Sequence, residues 1–183
     1  MRDTLIVNLL GGPGVGKSTT AAAVFAELKK AGMDCELVTE FAKDLVWEER
    51  AETFKDELYI FAKQAHRIFR VNGKVDVIIT DRPLILTCYY AQKDKELSAL
   101  CLQRFNSYHN LNFFLNRVVK YNPVGRNESE EEAIEVDKQT KAFLASHNIP
   151  FTEIPGDSLA SDIIIKQLKE VLSHKWKPFT LGE

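Results

Sequence analysis

Short apolar runs alternate along the chain with segments in which apolar residues recur every three or four positions. Five such runs predict buried strands, at residues 5–10, 35–39, 75–80, 111–118 and 151–154. Helical spacing predicts helices after Lys17, over 55–71, 84–91, 96–108 and 131–147, and from about residue 160 onward. Because helices alternate with strands, the pattern predicts an α/β fold with a parallel sheet.

The turn after the first strand contains Gly-Gly-Pro-Gly-Val-Gly-Lys-Ser at 11–18, which has the spacing of a phosphate-binding P-loop (Walker A). Glycines allow the loop to turn its amide groups inward and to approach a polyphosphate closely. The helix that follows directs its positive dipole end at the anion. We therefore predict an ATP site formed by Gly12, Pro13, Gly14, Val15, Gly16, Lys17, Ser18 and Thr19. Lys17 would reach the β/γ-phosphates, and the Ser18 hydroxyl would bind Mg²⁺.

The apolar run at 75–80 leads into Asp81-Arg82-Pro83. An acid at the end of a buried strand is the general form of a Walker B segment, which holds a carboxylate beside the P-loop Mg²⁺. Asp81 could hold the metal through water, or accept the proton of an attacking hydroxyl. The alternative is that Asp81 only caps the next helix. Arg82 is a candidate for stabilising the transferring phosphoryl group.

Candidates for the acceptor side of the site lie in two places. Glu40, Lys43 and Asp44 follow the second strand, at the end of a parallel sheet where ligands bind. Gln64 and Arg67 share a face of the helix over 55–71 that differs from its apolar stripe, which is predicted to be Leu58, Phe61, Ala65 and Ile68. The alternative for all five polar residues is a solvated surface.

A basic loop follows the fourth strand. Arg117, Lys120 and Arg126 could deliver positive charge to the migrating phosphoryl group if the segment at about 117–130 forms a lid. A plain surface loop is the alternative for each of them. The segment 174–183 has no helical or strand period.

Composition narrows the class of protein. A chain of 183 residues predicts one domain over 1–183, and the net charge of -2 gives no global reason to bind a polyanion, although a local basic surface would still allow nucleic acid. Three widely spaced cysteines suit a reduced, cytoplasmic protein better than a disulfide or zinc framework. No apolar stretch is long enough to span a membrane, and the first strand begins too early to leave room for a signal peptide.

The P-loop at 11–18, Asp81-Arg82 after the third strand and the basic segment at 117–126 together resemble small P-loop kinases of the nucleoside and nucleotide kinase group. The resemblance implies a three-layer fold with a five-stranded parallel sheet in the order 2-3-1-4-5, helices on both faces and a short lid. It also implies ATP and Mg²⁺ as cofactors, and phosphoryl transfer as the reaction.

Three stretches are similar to a narrower group, the phage-encoded P-loop kinases: Gly-Pro-Gly-Val-Gly-Lys-Ser-Thr-Thr-Ala-Ala, Val-Thr-Glu-Phe-Ala-Lys-Asp-Leu and Ile-Thr-Asp-Arg-Pro. Some of that group phosphorylate 5-hydroxymethyluracil in DNA on the way to hypermodified thymine, and the set is related to the ribosylnicotinamide kinases. The resemblance implies modified phage DNA as the acceptor and the host cytoplasm as the location. A free nucleoside or (deoxy)nucleoside monophosphate as acceptor, and a nucleotide-dependent ATPase switch, are the alternatives. A homodimer is left open.

Other P-loop classes are disfavoured by missing motifs. The sequence has neither the Asn-Lys-x-Asp motif of GTPases nor the Leu-Ser-Gly-Gly-Gln signature of transporter ATPases. Arg82 follows Asp81 where an AAA-type mechanical ATPase has a second acid to activate water. Phosphorylation of a hydroxyl group therefore fits the sequence better than these functions.

Overall fold

A computed structural model describes residues 2–122 and 129–173 of the chain. In this part, five strands form one sheet: β1 Leu5–Leu10, β2 Cys35–Val38, β3 Val77–Thr80, β4 His109–Asn116 and β5 Thr152–Pro155. All neighbouring strands are parallel, and their order is β2-β3-β1-β4-β5. The predicted five-stranded parallel sheet and its strand order are confirmed.

Helices cover both faces of the sheet. The α-helices are α1 Lys17–Lys30, α2 Phe41–Trp47, α3 Glu57–Phe69, α4 Leu84–Tyr90, α5 Lys95–Asn106, α6 Glu130–Ser146 and α7 Ala160–Val171, with a 3₁₀ turn at Ala51–Lys55. Apolar residues of α1 and α7 form one core with one face of the sheet, whereas α3, α4, α5 and α6 supply the core on the opposite face.

The central strand β1 explains why the run at 5–10 is continuously apolar except for Asn8. Val7 and Leu9 face the core that contains α1 and α7, and Ile6 and Leu10 face the other core. All of these side chains are at most 1% exposed. A parallel strand that is covered on both faces needs apolar residues at consecutive positions.

Several element ends are shifted by one or two residues from their predicted positions; β4, for example, covers His109–Asn116 instead of 111–118. Two larger features also differ from the prediction. The sequence did not predict α2, a seven-residue helix held by Ala42 and Leu45 against Ile60 of α3. The predicted inner face of α3 was also wrong at Leu58, which is 58% exposed, while Ile60 is buried. Residues two apart on a helix point about 200° away from each other, so these two side chains cannot share a face.

The strand order brings three segments together. The P-loop follows β1, Asp81 follows β3, and Glu40 follows β2, so all three lie at the carboxyl ends of adjacent strands. The predicted lid residue Arg126 and the segment 174–183 lie outside the described residues. Among the helices of the described part, none is long and apolar enough to cross a membrane.

Candidate active site

The P-loop has the backbone conformation that its glycines predict. Gly11, Gly14 and Gly16 have φ values of +128°, +82° and +93°, which side chains other than hydrogen rarely allow. Gly16 caps α1, and no side chain occupies the amino end of that helix as a cap. The first amides of α1 therefore remain available to an anion.

Lys17 lies over the P-loop. Its Nζ donates hydrogen bonds to the carbonyl oxygens of Gly11 at 2.7 Å and Gly12 at 2.8 Å. Burial lowers the pKa of Lys17, and the negative charges of Glu40 and Asp81 oppose that effect. The ammonium group is thus placed between the loop and two carboxylates, where an added phosphate group would replace carbonyl contacts with stronger charged ones.

A cavity of about 220 Å³ opens between the P-loop and the helices α2 and α4. Residues of the P-loop and the start of α1, including Lys17, Ser18 and Thr19, form one side of it. The opposite side is formed by Glu40, Lys43, Val46, Trp47, Phe54, Asp81, Arg82 and Tyr90. Of the eight predicted ATP-site residues, all but Gly12 and Val15 therefore line this cavity, and so do the predicted acceptor residues Glu40 and Lys43.

Asp81 is only 4% exposed, and its buried Oδ1 has no hydrogen-bond partner within the described ranges. Burial and the neighbouring Glu40 raise the pKa of Asp81, while Lys17 and backbone hydrogen bonds lower it. Helix α4 has no side-chain cap, so the alternative that Asp81 caps it is wrong. An unpaired carboxylate oxygen opposite a glycine-lined cradle and Ser18 fits a Mg²⁺–nucleotide complex.

Arg82 is held in place by its neighbours. Its Nη1 lies 3.3 Å from Oε1 of Glu40, and its guanidinium carbon lies 4.7 Å from the centre of the Tyr90 ring. Burial lowers the pKa of Arg82, but Glu40, Tyr90 and Glu57 outweigh burial and raise it. Arg82 therefore fixes the orientation of Glu40, and its charge is already partly neutralised. Glu57, at the start of α3, gave no signal in the sequence.

The structure does not bring Gln64 and Arg67 to the lining of this cavity. Gln64 is 1% exposed; its Oε1 accepts a hydrogen bond from the backbone N–H of Phe41 at 2.9 Å. Arg67 pairs with Asp44 and donates to the carbonyl oxygen of Thr39 at 3.1 Å. Both side chains thus fasten the connection between β2 and α2.

Arg117 lies beside the P-loop. It forms an ion pair with Asp137 at 2.9 Å and donates to the carbonyl oxygen of Pro13 at 2.8 Å. Lys120 is exposed. Lid closure and a role of Arg126 stay predictions.

Besides Glu57, three residues of the site were missed from the sequence. Trp47, which is 66% exposed, and Phe54 line the cavity from α2 and the 3₁₀ turn, and the sequence predicted neither element. Gly156 lies so close to the P-loop that an added Cβ would come within 2.4 Å of the carbonyl oxygen of Val15. The Pro-Gly-Asp sequence predicted only a turn there.

Comparison with known proteins agrees with this geometry. A structure described as NadR protein in complex with NR superposes with a TM-score of 0.73 at 17% identity, over 99% of this chain but only 54% of that chain. This similarity shows a shared fold, and the chain spans about half the length of that protein. No curated protein sequence is significantly similar. A family model described as an AAA domain matches residues 6–161, most of the chain and all of the cavity-forming segments. The chain therefore belongs to the AAA domain family and is a P-loop protein of the kinase or NTPase type.

Proposed function

We propose that the protein is a phosphotransferase that moves the γ-phosphoryl group of ATP to a hydroxyl group of a nucleoside-type acceptor. The observation that carries this proposal is the cavity itself. The P-loop with Lys17 forms one side of it, and the aromatic side chains of Trp47 and Phe54 line the opposite side together with the carboxylates of Asp81 and Glu40. A phosphate-binding end and a ring-binding end in one cavity suit a donor and an acceptor.

On the donor side, the amides of the P-loop and Lys17 would hold and neutralise the triphosphate. Ser18 and Asp81 are the residues that would hold Mg²⁺, which supplies charge neutralisation at the phosphates. The desolvated position of Lys17 makes its charge more effective than in water, because the local dielectric is lower.

On the acceptor side, transfer forms a bond between the acceptor oxygen and the γ-phosphorus and breaks the bond between that phosphorus and the bridging oxygen of ADP. A carboxylate of the cavity would take the hydroxyl proton. Asp81 and Glu40 are the candidates; Arg82 orients Glu40, and Asp81 serves either as this base or as the metal ligand. Positioning and charge neutralisation would provide most of the acceleration.

The side chains around the acceptor end favour an uncharged ring over a phosphorylated one. Trp47 and Phe54 offer flat apolar surface, and the arginine there, Arg82, is already paired with Glu40. Lys43 is the remaining cation among the described lining residues on that side. A monophosphate acceptor would meet two carboxylates and one lysine.

The most specific form of the proposal comes from the resemblance to phage kinases, with 5-hydroxymethyluracil in DNA as the acceptor. The structure of the NadR protein is described as a complex with NR. Because the fold is shared, a ribosylnicotinamide-type molecule is another candidate acceptor. The net charge of -2 disfavours DNA unless a local basic surface binds it.

A nucleotide-dependent ATPase switch is the second candidate, because the matching family is described as an AAA domain. The sequence lacks a second acid beside Asp81, but in the structure Glu40 supplies another carboxylate from the neighbouring strand end. Hydrolysis without an acceptor would therefore need Glu40 to activate water while it is paired with Arg82.

Labelled ATP and a panel of acceptors separate these candidates. The panel contains nucleosides, nucleoside monophosphates, ribosylnicotinamide, and duplex DNA with or without 5-hydroxymethyluracil. Label in a nucleoside-type hydroxyl, free or in DNA, supports the kinase; label only in inorganic phosphate, at a rate that no acceptor changes, overturns it in favour of the ATPase. Label in DNA only when the hydroxymethyl base is present selects the specific form.

A further inference from the structure

Helix α6 is fastened to the P-loop by a largely buried ion pair. Asp137 Oδ2 lies 2.9 Å from Nη2 of Arg117, and the two side chains are 15% and 11% exposed. The other carboxylate oxygen of Asp137 accepts a hydrogen bond from the backbone N–H of Gly12. The same Nη2 of Arg117 donates to the carbonyl oxygen of Pro13 at 2.8 Å. The backbone N–H of Gly12 and the carbonyl group of Pro13, two consecutive residues of the P-loop, are thus held by one charge pair.

The packing at Gly12 is as tight as the hydrogen bonding. A Cβ at Gly12 would come within 2.7 Å of both the carbonyl oxygen of Ala133 and Oδ1 of Asp137. Gly12 has no positive φ that would demand glycine. Glycine is therefore required at this position because the first turns of α6 press against the loop.

The next glycine of the loop is covered from the same side. A Cβ at Gly14 would come within 2.8 Å of the Tyr121 ring and 3.3 Å of Nη1 of Arg117. This Nη1 is buried and has no hydrogen-bond partner in the described part of the chain. Arg117 and Asp137 together occupy the outer side of residues 12–14.

We propose that Asp137 and Arg117 are positioning residues that hold residues 12–14 of the P-loop in their nucleotide-binding shape and so set the affinity for Mg·ATP. This inference depends on the nucleotide binding that the proposed function assumes. A loop that is already held in one conformation loses less conformational entropy when ATP binds. The pair is neutral as a whole, so it can lie near a triphosphate without repelling it.

The alternative role of Arg117, as a lid cation that binds the phosphates, predicts the opposite sign. In that role ATP has to compete with Asp137 for the guanidinium group, and removing Asp137 would tighten nucleotide binding. In the positioning role, removing Asp137 leaves the Gly12 N–H without its acceptor and Arg117 without its counter-charge, so binding weakens.

The test is equilibrium binding of a fluorescent ATP analogue with Mg²⁺ to the full chain, with no acceptor present. We expect Asp137→Ala to weaken binding about tenfold, because a charge-assisted hydrogen bond and a charge pair are lost. Asp137→Asn keeps an acceptor for the Gly12 N–H and should lose less, about threefold. Arg117→Ala should resemble Asp137→Ala, and the double variant should lose little more than either, because the two side chains act together.

Glu153→Ala is the matched control. Glu153, on strand β5, forms an ion pair at 2.6 Å with Lys141 of α6, the helix that also carries Asp137. None of the hydrogen bonds of Glu153 within the described residues reaches the P-loop. Its loss should leave binding unchanged. Circular dichroism and melting temperature identify any variant that fails to fold. If Asp137→Ala does not fold, the binding affinity of Asp137→Asn is used for the test instead.

Four outcomes are distinguishable. Weaker binding in the Asp137 and Arg117 variants with an unchanged Glu153→Ala supports the inference. Folded Asp137 variants that bind as the wild type does, or more tightly, overturn it and leave the proposed function standing. Equal losses in the Asp137 variants and in Glu153→Ala show a general effect of loosening α6 and also overturn it. A wild-type chain that binds no nucleotide overturns the proposed function and the inference with it.

Discussion

The two ends of the cavity are built in different ways. The donor end consists mainly of backbone: one continuous stretch, residues 11–18, forms the phosphate cradle, and three of its glycines have positive φ values. The acceptor end consists of side chains from separate elements, with Trp47 on α2, Phe54 in the 3₁₀ turn and Tyr90 on α4.

This difference decides what each end can recognise. Backbone amides present the same donors whatever side chains surround them, so a cradle of this kind binds phosphate in many proteins. A wall of side chains changes with single substitutions, so it can be specific for one acceptor. We expect mutations at the donor end to remove the reaction and mutations at the acceptor end to change which molecule reacts.

The largest expected effect is that of Lys17→Ala. In the proposed function the ammonium group neutralises charge on the transferring phosphoryl group, and its loss should lower transfer by at least about a hundredfold to a thousandfold. Within the described residues its hydrogen bonds go to the carbonyl oxygens of Gly11 and Gly12, so the circular dichroism spectrum should not change. Transfer of label from ATP is the measurement. Lys30→Ala, on the exposed end of the same helix, is the control; an active Lys17→Ala enzyme would contradict the donor assignment.

The second largest effect is expected for Asp81→Asn, which should reduce phosphoryl transfer by about a hundredfold. The folded-state pKa of Asp81 is raised, so its ionisation costs stability as pH rises through that pKa. The neutral asparagine should therefore raise the melting temperature near pH 7 and have little effect below the pKa of an unfolded aspartate. The acid limb of the wild-type rate profile should lie above the ordinary range of a carboxyl group. If Asp81→Asn and the wild type melt at the same temperature both near pH 7 and at the acidic pH, Asp81 does not carry a destabilising buried charge.

The donor end could be predicted from the sequence because its determinants are local. The Walker A spacing fixes strand, loop and helix within a few residues, and the boundaries predicted for β1 agree with the structure. The five-stranded order followed from the resemblance and is confirmed. The position of Asp81 at the end of a buried strand could be predicted because an apolar run before an acid is also a local pattern.

The acceptor end could not be predicted to the same extent. Helix α2 is held by the packing of Ala42 and Leu45 against Ile60 of α3, a contact that no local pattern within 41–47 reveals. Gln64 had the polar character of a ligand contact, but its amide is used by the backbone of residues 39 and 41. A single sequence does not reveal which polar side chains form hydrogen bonds within the fold and so do not contact a ligand.

Trp47→Ala is the sharpest way to test the acceptor wall. Stacking of a ring on an aromatic side chain contributes about 1–3 kcal/mol per base, so KM for the acceptor should rise about tenfold, with KM for ATP unchanged. Phe69→Ala is a matched control, because Phe69 is 67% exposed and Trp47 66%, and Phe69 does not line the cavity. If both variants behave alike, or if KM for ATP rises instead, the division of the cavity into two ends is wrong.

The smallest effect that we expect is that of Gln64→Ala. This variant tests whether Gln64 supports the acceptor end indirectly, by holding the start of α2. The substitution leaves the backbone N–H of Phe41 without its partner, which should destabilise the fold by about 1–2 kcal/mol. Because Phe41 begins α2, which carries Trp47, KM for the acceptor should rise a few-fold. Gln64→Glu retains an acceptor for that N–H and should restore most of the lost affinity if Gln64 acts through α2. A direct ligand contact would instead leave stability unchanged and make the glutamate variant as poor as the alanine variant. Melting temperature and acceptor KM, measured together on the two variants, separate these roles.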